Sequence, residues 1–215
     1  MTGPRSVHSD AAAAIAAEGL EVRYHGGPDP AVRGVSLRLD RGEGLLVRGP
    51  AGSGKTSLLR GLLGLVPAAG QVRVLGAAPG AAGSRGRVGY GPQGAGFASG
   101  LTVIDAVRAV AALRRGDGRR AGVEDAVERA GLGLVGRWRT ARLDAEGWRR
   151  LSLAMGVAGD PELVVLDDPW LFPETLREIA SARARGAAVL AASSRPGGLA
   201  SALGGRLDLA DGVPR

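Results

Sequence analysis

Residues 49–56 are the stretch of this chain whose residue types and spacing best fit a defined chemistry. It reads Gly-Pro-Ala-Gly-Ser-Gly-Lys-Thr and matches the phosphate-binding pattern G-x-x-x-x-G-K-[ST] at every fixed position. A glycine-rich loop lets backbone N–H groups surround bulky phosphates, and the following helix adds its positive N-terminal end. We expect Lys55 to reach the β and γ phosphates and the Thr56 hydroxyl to bind Mg²⁺. The segment therefore predicts a site for ATP with Mg²⁺.

The basic residue in this loop is the only lysine in the sequence. Lys occurs once, at position 55, whereas Arg supplies the other cationic side chains apart from two histidines. Arg carries a broad planar fork, while Lys is a compact point charge. The single lysine stands where a slim ammonium must fit among phosphates, which strengthens the prediction.

Composition excludes several other chemistries. The chain has 215 residues and no cysteine, which rules out disulfides, thiolate metal sites and cysteine nucleophiles. The net charge is +7, but the arginines are scattered as on a solvated surface. Nucleic-acid binding is not expected, because no platform of interleaved aromatic and basic residues accompanies the charge.

Apolar runs in the sequence are too short to cross a membrane, since about 18 residues are needed. Residues 1–17 are interpreted as a flexible leader, because their Ala-rich run is too weakly apolar for a signal peptide. We expect a cytoplasmic protein whose membrane association, if any, comes through a partner.

Hydrophobic spacing predicts an α/β fold. Alternation at 20–24 and 35–39 indicates an N-terminal antiparallel β element, and residues 56–65 are predicted to be a helix. Further strands are predicted at residues 45–47, 71–75, 87–90, 163–166 and 187–191. Helical spacing after Leu101, opened by the capping pair Thr102 and Asp105, predicts a helical subdomain of about residues 101–157. Strands that alternate with helices favour a largely parallel sheet.

Further landmarks follow in order, and together they resemble the ATP-binding cassette of ABC transporters over about residues 19–213. The run Leu163–Asp167 resembles a Walker B strand, whose terminal Asp167 would hold Mg²⁺. Gln93, after Gly91-Pro92, resembles the Q-loop glutamine, which touches Mg²⁺ or the attacking water. The resemblance implies that the nucleotide contacts Tyr24, stacked on adenine, and Gly49, Pro50, Ala51, Gly52, Ser53, Gly54, Lys55, Thr56 and Ser57.

The chain departs from the family pattern at four points. The signature Leu-Ser-Gly-Gly-Gln, which clasps the γ-phosphate held by the opposite subunit, reads Leu-Asp-Ala-Glu-Gly at 143–147. The catalytic Glu is replaced by Asp168, which is one methylene shorter. The D-loop shortens to Trp-Leu-Phe at 170–172, and Ser194 stands in place of the switch His. These departures predict weak or lost hydrolysis, with Asp168 and Gln93 as the remaining catalytic candidates.

The resemblance implies an architecture and a role. The fold would be a P-loop NTPase core at residues 18–215, with the β element and the inserted helical subdomain. The chain would be the ATP-binding subunit of a transporter, held at the inner face of the membrane by a membrane-embedded subunit. A second cassette would pair with it, and a heterodimer is favoured because acids spoil this signature. The alternative is a regulatory or structural cassette that binds ATP without turnover, and a P-loop kinase is disfavoured by the Q-loop and signature-like segments.

Overall fold

The computed structural model describes residues 13–27, 29–94, 100–115 and 122–215. Its strands are β1 (Ala13–Val22), β2 (Val32–Asp40), β3 (Gly44–Arg48), β4 (Ala68–Val74), β5 (Val88–Gly91), β6 (Leu163–Asp167), β7 (Ala188–Ser193), β8 (Gly204–Ala210) and β9 (Val213–Pro214). Its α-helices are α1 (Lys55–Leu62), α2 (Ala82–Arg85), α3 (Val103–Arg115), α4 (Val123–Arg129), α5 (Ala145–Val157), α6 (Pro173–Ala184) and α7 (Leu199–Leu203). Short 3-10 helices lie at Gly133–Val135 and Thr140–Arg142.

The N-terminal antiparallel element has three strands in the order β2-β1-β4. Its central strand begins at Ala13, so the prediction of a flexible leader through residue 17 was wrong for residues 13–17. Ala14, Ile15 and Ala17 are buried in the core beneath this sheet, and Ile15 pairs with Leu39. Residues 13–17 belong to this strand, with Ala14 and Ile15 fully buried. Residues 1–12 lie outside the described part of the chain.

The second sheet positions the residues of the candidate site. Its order is β5-β6-β7-β3-β8-β9, and every pairing from β5 to β8 is parallel. Strands β6 and β7 are buried along their whole length, as predicted for the runs at 163–166 and 187–191. Parallel strands present their carboxyl ends at one edge, so the segments after β3, β5, β6 and β7 converge there.

Both faces of this sheet are covered. Leu163 and Val165 pack with α1 and the antiparallel sheet, whereas Val164 and Leu166 pack with the helices on the other side. This division explains why β6 is apolar at every position from Leu163 to Leu166 rather than alternating. The mixed α/β architecture of a P-loop NTPase is therefore confirmed.

Three α-helices, α3, α4 and α5, lie within the range predicted to be helical. Thr102 caps the first of them, since its hydroxyl accepts the Asp105 N–H at 3.2 Å and donates to the Asp105 carboxylate at 2.6 Å. Within the described residues, no helix is both long and apolar enough to span a bilayer.

Candidate nucleotide site

The loop from β3 to α1 needs glycine at its fixed positions. A Cβ at Gly49 would collide with the carbonyl of Leu209 and the hydroxyl of Ser53. Gly54 precedes α1 with φ of 92°, a left-handed conformation that side chains disfavour. The two glycines of the motif are thus required by close approach in one case and by backbone conformation in the other.

Lys55 is buried within its own loop. Its ammonium donates to the carbonyls of Gly49 at 2.9 Å and Pro50 at 2.7 Å and to the Ser53 hydroxyl at 3.3 Å. Burial lowers the pKa of Lys55, while the charges of Asp168 and Asp167 oppose that shift. The loop therefore holds one compact cation beside two carboxylates.

Thr56 and Asp167 are brought together across 111 residues of sequence. The Thr56 hydroxyl donates to Asp167 Oδ1 at 3.0 Å, and the Tyr90 hydroxyl donates to Oδ2 at 3.4 Å. Only 3% of Asp167 is exposed, and its burial raises the pKa of the carboxyl, whereas the hydrogen bonds from Thr56 and Tyr90 lower it. These two donors hold the carboxylate in one orientation.

The donor set suits Mg²⁺ shared with a nucleotide. Thr56, Asp167 and the Gln93 amide offer hard oxygen ligands, which Mg²⁺ prefers. Among the described residues, no cluster of three or more His, Cys, Asp or Glu side chains could hold a metal by itself. Mg²⁺ commonly takes one or two protein ligands and completes its shell with phosphate oxygens and water. The residues present fit that pattern.

Asp168 lies just beyond β6 with a left-handed backbone φ of 51°. Its carboxylate accepts from Gln93 Nε2 at 3.1 Å on one oxygen and from the Ser193 hydroxyl at 3.3 Å on the other. Arg149 donates to its backbone carbonyl at 3.0 Å. Both carboxylate oxygens therefore have donors within the protein.

These groups line one cleft of about 270 Å³. Its lining residues are Ala31, Ala51, Gly52, Ser53, Gly54, Lys55, Thr56, Ser57, Gln93, Asp167, Asp168 and Ser194. Gly49 and Pro50 contribute carbonyls to Lys55 without lining the cleft. Tyr24 lies outside the lining, is 39% exposed, and lies close to Arg60 of α1.

A more apolar hollow of about 330 Å³ lies between α1, β5 and α3, and it lacks the phosphate-binding loop. The loop, its cation and the carboxylates converge instead in the smaller polar cleft. The apolar hollow is lined by Leu62, Leu63, Gly64, Leu65, Val74, Gly80, Ser84, Arg85, Val88, Tyr90, Pro92, Val110, Leu113 and Met155, and it is called the apolar groove below.

Sequence reasoning missed four residues around the site. Tyr90 donates to Asp167, Ser193 donates to Asp168, and Arg149 donates to the Asp168 carbonyl. Arg60 lies close to Tyr90 and Tyr24, which raise the pKa of its guanidinium. The only sequence signal for Tyr90 and Ser193 was their position at the ends of predicted strands. Arg60 and Arg149 looked like ordinary helical surface cations.

The segment at 143–147 opens helix α5. Asp144 is the N-cap, and its carboxylate accepts the Gly147 N–H at 2.8 Å. Glu146 pairs with Arg150 at 2.9 Å along the helix. Both acids of this segment are thus bound to their own helix.

The parallel sheet, its glycine loop and the paired Thr56 and Asp167 define a P-loop nucleotide-binding domain. Residues 32–171 match the ABC transporter family model, and the chain belongs to that family. It is 39% identical over 149 residues to the zinc import ATP-binding protein ZnuC of Paracoccus denitrificans, a match that covers 67% of this chain and 53% of ZnuC.

A second relative is the aliphatic sulfonates import ATP-binding protein SsuB 2 of Burkholderia cenocepacia, 36% identical over 137 residues. That match covers 63% of this chain and 49% of SsuB 2, so the chain spans about half the length of these two relatives. A solved dimer of the ATP-binding cassette MJ0796, bound to ADP and Pi, superposes with a TM-score of 0.80 at 19% identity. It covers 94% of this chain and 96% of that one, which shows that the two share the cassette fold.

Proposed function

We propose that this chain is the ATP-binding subunit of an ABC transporter, that it binds ATP with Mg²⁺, and that it turns ATP over slowly. The observation that carries the proposal is the hydrogen bond from Thr56 to Asp167 beside the Lys55 loop. This bond places a hydroxyl and a carboxylate where Mg²⁺ would meet the phosphates that the loop N–H groups receive.

Substitution of Lys55 tests nucleotide binding. Lys55→Ala removes the buried cation, and we expect at least a tenfold loss of ATP affinity by calorimetry. Lys55→Arg keeps the charge but adds a planar fork, so it should also bind poorly if a slim ammonium is required. Arg73→Ala, on exposed β4, removes a cation away from the cleft and should bind as the wild type does. Equal affinity for Lys55→Ala and wild type would refute the proposal.

The apolar groove supports a membrane partner. Leu65 and Leu113 in its walls are 58% and 79% exposed, which is costly for large apolar side chains unless another surface covers them. The groove lies beside Pro92 and Gln93, so an occupant would touch the segment that reaches the nucleotide cleft. We assign the groove to a short apolar helix of the membrane-embedded subunit.

Membrane fractionation from the native host tests this assignment. The chain should sediment with membranes at the inner face, and Leu65→Glu with Leu113→Glu should release it because charge cannot be buried in the groove without cost. Leu134→Glu is the matched control, since Leu134 is fully exposed outside the groove. A wild-type chain that never sediments with membranes would contradict the assignment.

Slow turnover is supported by the environment of Asp168. A general base must accept a proton from the attacking water, and here Gln93 and Ser193 already donate to its two oxygens. Ser194 lines the cleft and offers one hydroxyl in the place where the family resemblance implies a histidine. Because Asp144 and Glu146 also spoil the signature, we propose a heterodimer with an intact second cassette rather than a homodimer.

A further inference from the structure

Tyr90 has two different surroundings. It lines the apolar groove together with Leu62, Leu63 and Val110. Its hydroxyl donates to Asp167 Oδ2 at 3.4 Å. One residue therefore lines the groove and also contacts the buried carboxylate of the nucleotide cleft.

The segment that carries Tyr90 is fixed to both sites. Pro92 lines the groove, and its carbonyl accepts the Ser152 hydroxyl of α5 at 2.7 Å. Gln93, the next residue, donates to Asp168 at 3.1 Å. Residues 90–93 therefore donate hydrogen bonds to both Asp167 and Asp168. The same four-residue segment also lines the apolar groove.

Arg60 of α1 lies close to Tyr90 and Tyr24, and both tyrosines, Tyr90 above all, raise the pKa of its guanidinium. The Tyr90 hydroxyl is thus placed beside both the Asp167 carboxylate and the Arg60 guanidinium.

We propose that Tyr90 is a positioning residue that transmits occupancy of the apolar groove to the Asp167 carboxylate, and hence to Mg²⁺ affinity at the nucleotide site. The inference rests on the proposed function, because it requires that ATP with Mg²⁺ binds in the cleft. An occupant that presses on the ring changes the angle at which its hydroxyl meets Asp167. Linkage is reciprocal, so Mg²⁺ and ATP must also change the state of the groove.

Tyr90→Phe isolates the hydroxyl while keeping the groove filled. The ratio of ATP dissociation constants in EDTA and in Mg²⁺ measures the metal-dependent part of binding. We expect this ratio to fall about three- to tenfold in Tyr90→Phe, the size of one hydrogen bond's net contribution, with little change in EDTA. Val110→Ala removes groove contact without touching Asp167 and should leave the ratio unchanged. A wild-type ratio in Tyr90→Phe would overturn the proposal.

A dye in the groove tests the reciprocal effect. The chain has no cysteine, so Leu113→Cys gives one attachment point for an environment-sensitive fluorophore, and Leu65→Cys gives a second on another wall. Mg²⁺ with ATP should shift the emission when Tyr90 is present, and the shift should be at least threefold smaller in Tyr90→Phe. Equal shifts in both backgrounds, or binding without a shift at either position, would overturn the inference alone. If the chain that retains Tyr90 fails to bind ATP, the proposed function is overturned, and the inference with it.

Discussion

The carboxylate of Asp144 accepts the backbone N–H of Gly147 at 2.8 Å, at the first turn of α5. A helix N-terminus is a natural anion site because its N–H groups and dipole favour negative charge. We propose that this segment faces the γ-phosphate of a second cassette, as the family resemblance implies. The Asp144 carboxylate already occupies one donor of this helix end, and its charge opposes a second anion.

The first prediction concerns assembly. Mg²⁺ with ATP should leave the purified chain monomeric, because each half of a homodimer would present Asp144 and Glu146 to the other's γ-phosphate. Light scattering with and without nucleotide measures the mass. The double variant Asp144→Ser with Glu146→Gly removes both acids and should gain nucleotide-dependent association, while Glu124→Gly, an exposed acid on α4, should not. An ATP-driven dimer of the wild-type chain would contradict this expectation.

The Asp144 side chain should also stabilise the fold. Asp144→Ala leaves the Gly147 N–H without its cap and should cost about 0.5–2 kcal/mol. For a chain of this size, 1 kcal/mol lowers Tm by about 2–4 °C. Asp144→Asn can still cap the helix and should melt within about a degree of wild type. Thermal unfolding monitored by circular dichroism measures the Tm of each variant. An equal loss of Tm in Asp144→Ala and Asp144→Asn would show that the charge, not the cap, is responsible.

Tyr24 should contribute to affinity less than Lys55 does. Loss of base stacking in Tyr24→Ala should cost roughly 1–3 kcal/mol, by comparison with other base–aromatic contacts. Tyr24→Phe keeps the ring and removes only the hydroxyl, so it should bind nearly as wild type does. Titration with ATP and with inorganic triphosphate separates the base from the phosphates. Equal loss for both ligands in Tyr24→Ala would exclude stacking.

Glu162 gives a pH-dependent stability prediction. Arg87 donates to its two oxygens at 2.6 and 2.7 Å, and Arg41 donates at 2.5 Å. These guanidinium groups, Arg87 above all, lower the pKa of Glu162 from 4.5 to about 2. A depressed pKa means that the pairing stabilises the fold fully above about pH 4.5 and is lost as pH falls toward about 2.

The check is the difference in Tm between wild type and Glu162→Gln. It should be present at pH 7, about 1–4 °C for a partly exposed pair, and should shrink as pH falls below about 4.5. Asp211→Asn is the control, because Asp211 is 92% exposed and 3.8 Å from Arg215, too loosely paired to move Tm. A difference that is constant down to the lowest pH at which the protein stays folded would refute the ion-pair explanation.

Much of the fold and part of the site were predictable because they depend on local pattern. The fixed positions of the loop at 49–56 follow from phosphate chemistry, and the buried run before Asp167 follows from a sheet covered on both faces. The strand at Ala13–Ala17 was missed because alanine carries little pattern, and only its pairing with β2 and β4 shows its place. Tyr90 and Ser193 were missed because their partners lie 77 and 25 residues away.

The last prediction is that the isolated chain hydrolyses ATP very slowly. Asp168 falls about 1.5 Å short of a glutamate, the length of one C–C bond, and both of its oxygens accept donors from within the protein. A positioned base typically contributes about 10²–10⁴-fold to a rate, so loss of its contact with water would bring turnover near background. Lys55, Thr56 and Asp167 remain in place, and binding should survive.

Steady-state phosphate release measures this turnover, with an intact partner cassette added where one is found. Asp168→Glu together with Ser194→His should raise the rate at least tenfold, because the first restores reach and the second supplies a larger donor that can carry charge. Ser201→His places the same new side chain on the exposed surface of α7 and should change nothing. Robust wild-type turnover that Asp168→Asn abolishes would show that Asp168 already acts as a base despite its donors. Fast turnover that survives Asp168→Asn would place the catalytic residue elsewhere, since the Asp168 carboxylate would then not be needed for the reaction.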